Sequence, residues 1–198
     1  MPGLEEAERY IRGVLLLARN RKEGFQWLDI SADGFWHSFW AIVYSLPALA
    51  VSWASYRIIY LQTTEQPASA GIGFVARLAL IDLLTWVLPL VILGLLAKPL
   101  GFERHFARFV IATNWLGVVT TYALAVPSLI RLLPFGEDFL AALISIAVFI
   151  LTILLLYRVT RMAFDGEAMN AAGVTLGMIV LSIMLSGLFQ NAFGVAIA

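Results

Sequence analysis

The chain has 198 residues, of which 61% are hydrophobic and 13% are charged, and its mean hydropathy is +0.89. This composition excludes an ordinary water-soluble domain, since such domains are about half apolar and about a quarter charged. The formal net charge of zero gives no support for nucleic-acid binding, and a sequence without cysteine has no disulfides, thiolate metal sites or cysteine nucleophiles. We therefore expect an all-α protein: a polytopic membrane bundle of five transmembrane helices, preceded by an amphipathic interfacial helix.

The first segment, residues 1–34, precedes the apolar runs. Within Leu4–Ala18, apolar residues recur at helical spacing and charged residues take the other side. This pattern predicts an amphipathic helix that either lies in the membrane interface, against lipid head groups, or packs on the ends of the bundle. The aromatic residues that follow are typical of a membrane–water boundary, and Asp33 is placed to cap the next helix.

The transmembrane domain is expected to occupy residues 35–198. Each of its apolar runs can cross a hydrocarbon core about 30 Å thick, because an α-helix rises about 1.5 Å per residue. The five runs lie at about residues 35–61, 77–98, 106–132, 139–157 and 171–193. Pro47 and Pro89 predict bends in the first two. The fourth run is almost purely aliphatic and predicts the most lipid-exposed span. The short LPFGED connection before it predicts that the third and fourth helices are antiparallel neighbours.

Lys and Arg residues are distributed unevenly between the two sides of this topology. With the N-terminus inside, ten of the thirteen basic residues lie on the inner side, and only Arg57, Arg77 and Arg131 lie on the outer side. Inner segments of membrane proteins are enriched in Lys and Arg. The distribution therefore predicts a protein of a bacterial-type inner membrane, with a cytoplasmic N-terminus and a C-terminus on the opposite side.

One carboxylate, Asp82, lies within the second run. An ionisable group in a membrane helix must face other helices, a partner charge or water. Arg57 lies at a matching depth in the first run, so the sequence predicts an ion pair between Arg57 and Asp82. We expect this intramembrane pair to be structural, with a substrate or proton role for Asp82 as the alternative.

Other polar and small residues of the runs predict helix packing. Asn114 is expected to form hydrogen bonds between helices, with a ligand-binding role as the alternative. The hydroxyl groups of three threonines are expected to bond their own helix backbone: Thr113, Thr120 and Thr121. Two pairs of small residues predict close approach of the fifth helix to another helix or to a second copy: Gly173 with Gly177, and Ser182 with Ser186. Gln190 and Asn191 are interpreted as residues of the outer interface.

Enzyme signatures do not occur in the sequence, which contains no GxSxG, HExxH or phosphate-binding loop. His37 and His105 both fall at the inner surface of the predicted topology, but no carboxylates accompany them at ligand spacing. We therefore expect no catalytic residue, no metal or haem site and no cofactor.

The layout of the chain is a polar N-terminal segment, five closely spaced apolar helices and a short outward tail. It includes the segments RFVIATNWLGVVTTYALAVPSLI and YRVTRMAFDGEAMNAAGVTLGMIVLSIMLS. Over residues 35–193 this arrangement resembles the Yip1-like membrane proteins. FWHSFW stands where the eukaryotic members have DLYGP, so the resemblance is to the bacterial side of the family. It implies a non-enzymatic membrane protein that works through contacts with proteins or lipids.

Together these features predict an accessory or scaffold component that contacts membrane lipids and other membrane proteins or a second copy of itself. The alternative is a small transporter or channel, with a site between the first three helices around Asp82. A water-accessible cavity that reaches Asp82 would favour transport. A dry core with an exposed apolar face would favour the accessory role.

Overall fold

The computed structural model describes residues 2–63, 71–133 and 138–197. Within these ranges the chain is all-helical, and five stretches are long and apolar enough to cross a membrane. The α-helices are α1 (Leu4–Ala18), α2 (Ala32–Ser38), α3 (Ala41–Thr63), α4 (Ile72–Ala97), α5 (Glu103–Leu132), α6 (Asp138–Ala163) and α7 (Ala168–Ala192). A 3₁₀-helix, Lys22–Trp27, follows α1. Most of the predicted LPFGED connection lies outside the described residues.

Several helices are longer than the apolar runs that predicted them. Helix α4 begins at Ile72 instead of 77, and α6 continues to Ala163 instead of ending at 157. The residues added to α6 include Arg158 and Arg161, which are good helix formers. Their long side chains can also carry the charge from an apolar helix face toward water. A helix can therefore continue past the end of its apolar run.

The predicted first span is divided between α2 and α3. The Ser38 hydroxyl donates to the Phe35 carbonyl at 2.7 Å, which is the acceptor that the Phe39 amide would use in a continuous α-helix. The Phe39 amide instead donates to the Trp36 carbonyl, a bond of 3₁₀ type. The cap of α2 also differs from the prediction: Ser31, not Asp33, is the N-cap residue, and its side chain accepts from the Gly34 amide at 3.1 Å.

Helix α5 is the centre of the bundle and contacts α1, α2, α3, α4 and α6. In the most apolar window of α5, 61% of the residues are buried, whereas the corresponding share in α6 is 6%. Helix α6 is therefore the least buried of the five long apolar stretches, as its aliphatic sequence predicts. It is also a direct neighbour of α5.

Helix α1 packs its apolar side on the bundle. Tyr10 is 2% exposed, and its ring lies 4.8 Å from that of Trp115 in α5. Tyr44 of α3 contacts the same indole ring, and its hydroxyl donates to the Pro2 carbonyl. Burial, reinforced by the hydrogen bond to Glu6, raises the pKa of Tyr10 to about 12. Of the two predicted locations for α1, this packing corresponds to the one on the bundle.

Two glycines allow the chain to fold back after α1. A Cβ atom added at Gly13 would lie 2.8 Å from the Gly24 carbonyl oxygen, and one added at Gly24 would lie 2.4 Å from that of Gly13. No side chain fits at either position without moving the backbone. The 3₁₀-helix is thus held directly against α1.

At one end of the bundle, which we call the N-side, the turn between α6 and α7 meets the start of α5. Asp165 accepts hydrogen bonds from the two terminal nitrogens of Arg108 at 3.3 and 2.9 Å. The hydrogen bond from Arg108 holds the pKa of Asp165 below its ordinary value. Glu167 lies 3.5 Å from Arg104 in the same region.

At the opposite end, the C-side, the residues after α7 fold back over α3 and α4. Gly194 has φ of 62°, a left-handed conformation that glycine adopts without strain. Val195 is fully buried, and its carbonyl accepts from the Tyr56 hydroxyl at 2.8 Å. The Phe193 carbonyl accepts from Arg77 Nη1 at 2.7 Å. This tail is therefore fixed to the ends of two long helices.

Candidate functional site

A cavity of about 650 Å³ lies between two helix layers, with α4 and α7 on one side and α5 and α6 on the other. Its lining extends from Leu90 and Met178 toward Gln190, two residues before the end of α7. Leu49 is the contribution of α3. The polar side chains of the lining are Asp82, Thr85, Thr113, Asn114, Thr120, Thr121, Thr152, Ser182, Ser186 and Gln190. Leu90, Leu156 and Met178 line the part of this space nearest the N-side, and the polar groups are concentrated in the middle of the bundle and toward the C-side.

Asp82 lies on the cavity wall, and its hydrogen-bond partner is a tryptophan. Trp53 Nε1 donates to Asp82 Oδ2 at 2.6 Å, which links α3 to α4. The ion pairs found among the described residues do not include Arg57 with Asp82, and that pair stays a prediction. Trp53 and Arg57 are four residues apart on one side of α3, so Asp82 meets α3 one helical turn before the position that matching depth suggested.

Asn114 connects three helices at the edge of the cavity. It is 1% exposed; its Oδ1 accepts from Trp86 Nε1 at 2.9 Å, and its Nδ2 donates to Ser38 Oγ at 2.9 Å. These bonds join α5 to α4 and to α2. The prediction of interhelical bonding by Asn114 is confirmed, and with both ends of its amide occupied this side chain positions other groups.

One face of α5, rich in threonine, forms a wall of the cavity. The residues on this face recur at helical spacing: Thr113, Gly117, Thr120, Thr121 and Leu124. Thr113 and Thr120 donate to backbone carbonyls one turn earlier, at 2.8 and 3.2 Å, as predicted. The spacing of these residues is visible in the sequence and is the signal by which the wall could have been found.

Three hydroxyl groups of the lining have no hydrogen-bond partner among the described residues: Thr121, Thr152 and Ser182. Thr121 thus differs from the predicted bond to its own backbone. Helical serine and threonine commonly donate to the preceding turn, as Thr85 does at 2.8 Å. A hydroxyl group that does neither is costly in a dry apolar interior. The three groups therefore favour a cavity that contains water or a polar solute.

The residues predicted to pack α7 closely have a different role. Ser182 and Ser186 line the cavity, and Ser186 Oγ accepts from Gln190 Nε2 at 2.9 Å. A Cβ atom added at Gly173 or Gly177 would meet no atom of the described chain within 4 Å. The prediction that these glycines bring α7 close to another helix of the same chain is therefore wrong. Gln190, interpreted as an interface residue, belongs to the cavity wall.

The lining carries one acidic side chain and no Lys or Arg. In the described part of the chain, no group of three or more His, Cys, Asp and Glu side chains could hold a metal ion. The chemistry of the wall is thus that of hydroxyl groups, two amides and one carboxylate. It suits the recognition of a polar solute by hydrogen bonds and charge.

Neither of the two histidines lines the cavity. His105 lies at the N-side, 2% exposed, with Arg104 Nε 2.9 Å from its Nε2 and Arg108 Nη2 2.9 Å from its Nδ1. Both ring nitrogens are therefore engaged by guanidinium groups, and Asp165 Oδ2 lies 3.6 Å from Nδ1. His37 is exposed on α2. We regard the His105 cluster as a structural contact between α5 and the α6–α7 turn.

Comparison of the chain with protein-family models, curated proteins and solved structures finds no match. The Yip1-like resemblance accordingly stays a prediction from layout, and the function must be argued from the cavity itself.

Proposed function

We propose that the chain is an integral membrane protein that binds a small polar solute in the cavity between the helix layers and moves it across the bilayer. The observation that carries this proposal is a cavity of about 650 Å³ that reaches Asp82 and is lined by unpartnered hydroxyl groups. Its volume falls in the range of small-molecule sites, about 300–1,000 Å³. The site uses α4, α5, α6 and α7, with one residue of α3, instead of the first three spans alone.

The location of the protein is part of the same proposal. Five long apolar helices are compatible with membrane insertion. The excess of Lys and Arg at the N-side supports an inner membrane of bacterial type with a cytoplasmic N-side. Under this arrangement the polar lining lies at the depth of the bilayer. Polar side chains are costly there unless they face water, a solute or hydrogen-bond partners.

Thiol labelling tests the cavity directly. The chain has no cysteine, so each introduced cysteine is the only thiol in the protein. We expect Thr121→Cys and Ser182→Cys in intact vesicles to react with a small membrane-impermeant methanethiosulfonate reagent. Ile146→Cys is the control, because Ile146 is 58% exposed on the outer surface of α6 and would face lipid.

The labelling rates decide between a wet and a dry cavity. Cavity thiols that react at least about ten times faster than the Ile146→Cys control would support the proposal, since only a hydrated thiol forms the reactive thiolate. Equal, slow labelling at all three positions would refute it. Reagent added separately to each side of the vesicles then shows from which side the cavity opens.

The second candidate is the accessory or scaffold role. It is favoured by the outward face of α7, where Gly173 and Gly177 have open space and Leu176, Val180 and Met184 are exposed. Contacts with another membrane protein, or with a second copy, would cover this face, and the Yip1-like layout agrees with such a role. Gentle detergent extraction followed by mass spectrometry tests it: a stoichiometric membrane-protein partner lost on Gly177→Leu would support this candidate.

A further inference from the structure

Asp82 is the one acidic side chain in the cavity lining, and it influences which solutes can bind there. This inference rests on the proposed solute site. Asp82 Oδ2 is occupied by the indole N–H of Trp53, whereas Oδ1 has no hydrogen-bond partner among the described residues. The ion pairs of the described chain leave Asp82 out, and no Lys or Arg lines the cavity. Among the described residues Asp82 therefore has one hydrogen-bond partner and no counter-charge.

A carboxylate in an apolar bundle needs more than one hydrogen bond. Removal of a charge from water is costly unless an opposite charge and further hydrogen bonds replace its hydration. The protein supplies one neutral donor, from Trp53. A positively charged solute that enters the cavity would supply the missing counter-charge at Oδ1.

The groups nearest Asp82 along α4 also present acceptors. The Thr85 hydroxyl donates back to the Ile81 carbonyl, so only its lone pairs remain for a ligand. Pro89 has no amide hydrogen, which removes the usual i+4 donor to the Thr85 carbonyl. The wall at this level thus combines a carboxylate oxygen, a hydroxyl lone pair and a carbonyl without its helical donor. This combination of acceptors favours a positively charged group over an anion.

The remaining wall fits the body of an organic molecule. Trp86 lines the cavity, its N–H is already given to Asn114, and an indole ring is the aromatic surface that attracts cations most strongly. The hydroxyls of Thr121 and Ser182 can bond a polar substituent. A space of about 650 Å³ is far larger than a single alkali-metal ion.

We propose that the cavity binds a small organic cation, with its ammonium group at Asp82 Oδ1 and its body between Trp86 and the hydroxyl groups of α5 and α7. The alternative ligands are an inorganic monovalent cation, a neutral solute and an anion, and binding of any of these instead would contradict the proposal.

Calorimetric titration of the intact protein in nanodiscs tests this assignment. The ligands are ammonium compounds from methylammonium to choline, together with 3,3-dimethylbutan-1-ol, a neutral analogue of choline with carbon in place of nitrogen. We expect choline to bind at least about tenfold more tightly than its analogue, because only choline carries a positive charge that the carboxylate attracts. In Asp82→Asn, which still offers an oxygen to Trp53, this preference should disappear. Asp165→Asn, the same carboxyl-to-amide change at the N-side and outside the cavity, should leave the ratio unaltered.

Each other outcome overturns the assignment in an identifiable way. Equal affinity for choline and its analogue, a preference that persists in Asp82→Asn, binding of sodium or potassium ions alone, or no binding of any ammonium compound would refute the organic cation. In these cases rapid labelling of Thr121→Cys would leave the polar-solute site itself standing. Slow labelling at Thr121→Cys and Ser182→Cys would instead refute the proposed function.

Discussion

Helix α5 has two different faces: one is packed against other helices and the other lines the cavity. One face carries Ile111, Trp115 and Val118, which are almost fully buried against the N-terminal helices. The other carries Thr113, Gly117 and Thr121 and forms a wall of the cavity. Both faces lie in the same part of the bundle, so depth does not explain the difference.

The contrast shows what a packed interior and a binding wall require of a membrane helix. On the packed face, large apolar side chains fill the space between helices, and few polar atoms need hydrogen-bond partners. On the cavity face, small residues leave space, and the hydroxyls that do not bond their own backbone need water or a ligand. Four experiments on five substitutions follow, and the largest effect on the free energy of unfolding expected in each decreases from the first experiment to the last.

Trp115→Ala is expected to have the largest effect. Trp115 is 1% exposed and contacts the rings of Tyr10 and Tyr44, with centroids 4.8 and 5.8 Å away. Truncation of a buried tryptophan costs about 3–5 kcal/mol, because the surrounding side chains fill the space only partly. Denaturant unfolding in mixed micelles measures the loss. Tyr122→Ala, at a position 47% exposed on the same helix, is the control, and equal losses in the two variants would contradict a packed Trp115 face.

Asn114→Ala is expected to come second, because it affects both faces at once. It leaves Trp86 Nε1 and Ser38 Oγ without their partner, and an unpaired buried group costs about 1–3 kcal/mol. The control is Asn191→Ala, whose amide is exposed and bonds the Gly187 carbonyl of its own helix. A loss no larger than that of Asn191→Ala in the same unfolding assay would show that Asn114 does not hold the three helices together.

A pair of threonine-to-valine variants compares a dry hydroxyl with one in the cavity. Thr160 is fully buried, and its hydroxyl has no partner among the described residues, so Thr160→Val should stabilise the protein by about 1–3 kcal/mol. Thr121→Val should change stability by less than about 0.5 kcal/mol if the cavity is hydrated as proposed, because water then satisfies this hydroxyl. Thermal unfolding of both variants measures the difference. Equal stabilisation in the two would mean that the cavity is dry.

Asp165→Asn is expected to have the smallest effect, and one that depends on pH. Asp165 has φ of 52°, a conformation that asparagine tolerates, so the turn should be kept. The pKa of Asp165 is lowered in the folded protein, so its stabilising contribution is present above the unfolded-state pKa of about 4 and is lost as pH falls through the folded value. The side chain is 51% exposed, which limits the loss at pH 7 to about 0.2–1 kcal/mol.

The measurement is the unfolding free energy of Asp165→Asn and the parent protein at pH 7 and below pH 4. A difference that shrinks at low pH would agree with an ionic contact to Arg108. A difference that stays constant would assign the effect to the turn conformation.

The parts of this fold that follow from length and apolarity were predictable. Five apolar helices, the poor burial of α6 and the interhelical bonding of Asn114 follow from local sequence. The partner of Asp82 did not, because it depends on the position of α3 along its own axis relative to α4, and a shift of one helical turn exchanges Arg57 for Trp53. The break after Ser38 depends on one hydroxyl bond that apolar run length does not report.

The cavity was missed for a related reason. Thr113, Thr120 and Thr121 were each interpreted alone, and a bond to the helix backbone is an ordinary structural explanation for a threonine, which holds for Thr113 and Thr120 but not for Thr121. Their common face, together with Ser182 and Ser186 at a spacing of four on α7, becomes informative only when the two helices are known to enclose the same space. Helix pairing, not residue identity, was the missing information.

The bond between Trp86 and Asn114 has a mechanical consequence. It is a direct tie between the two layers beside the cavity, and Asn114 passes the connection on to Ser38 in the segment before α3. An outward swing of α4 at the level of Trp86 must either rupture this tie or pull the short helix α2 with it. In any cycle that exposes the cavity alternately to the two sides of a bilayer, a movement of α4 would therefore be limited by the hydrogen bond between Trp86 and Asn114.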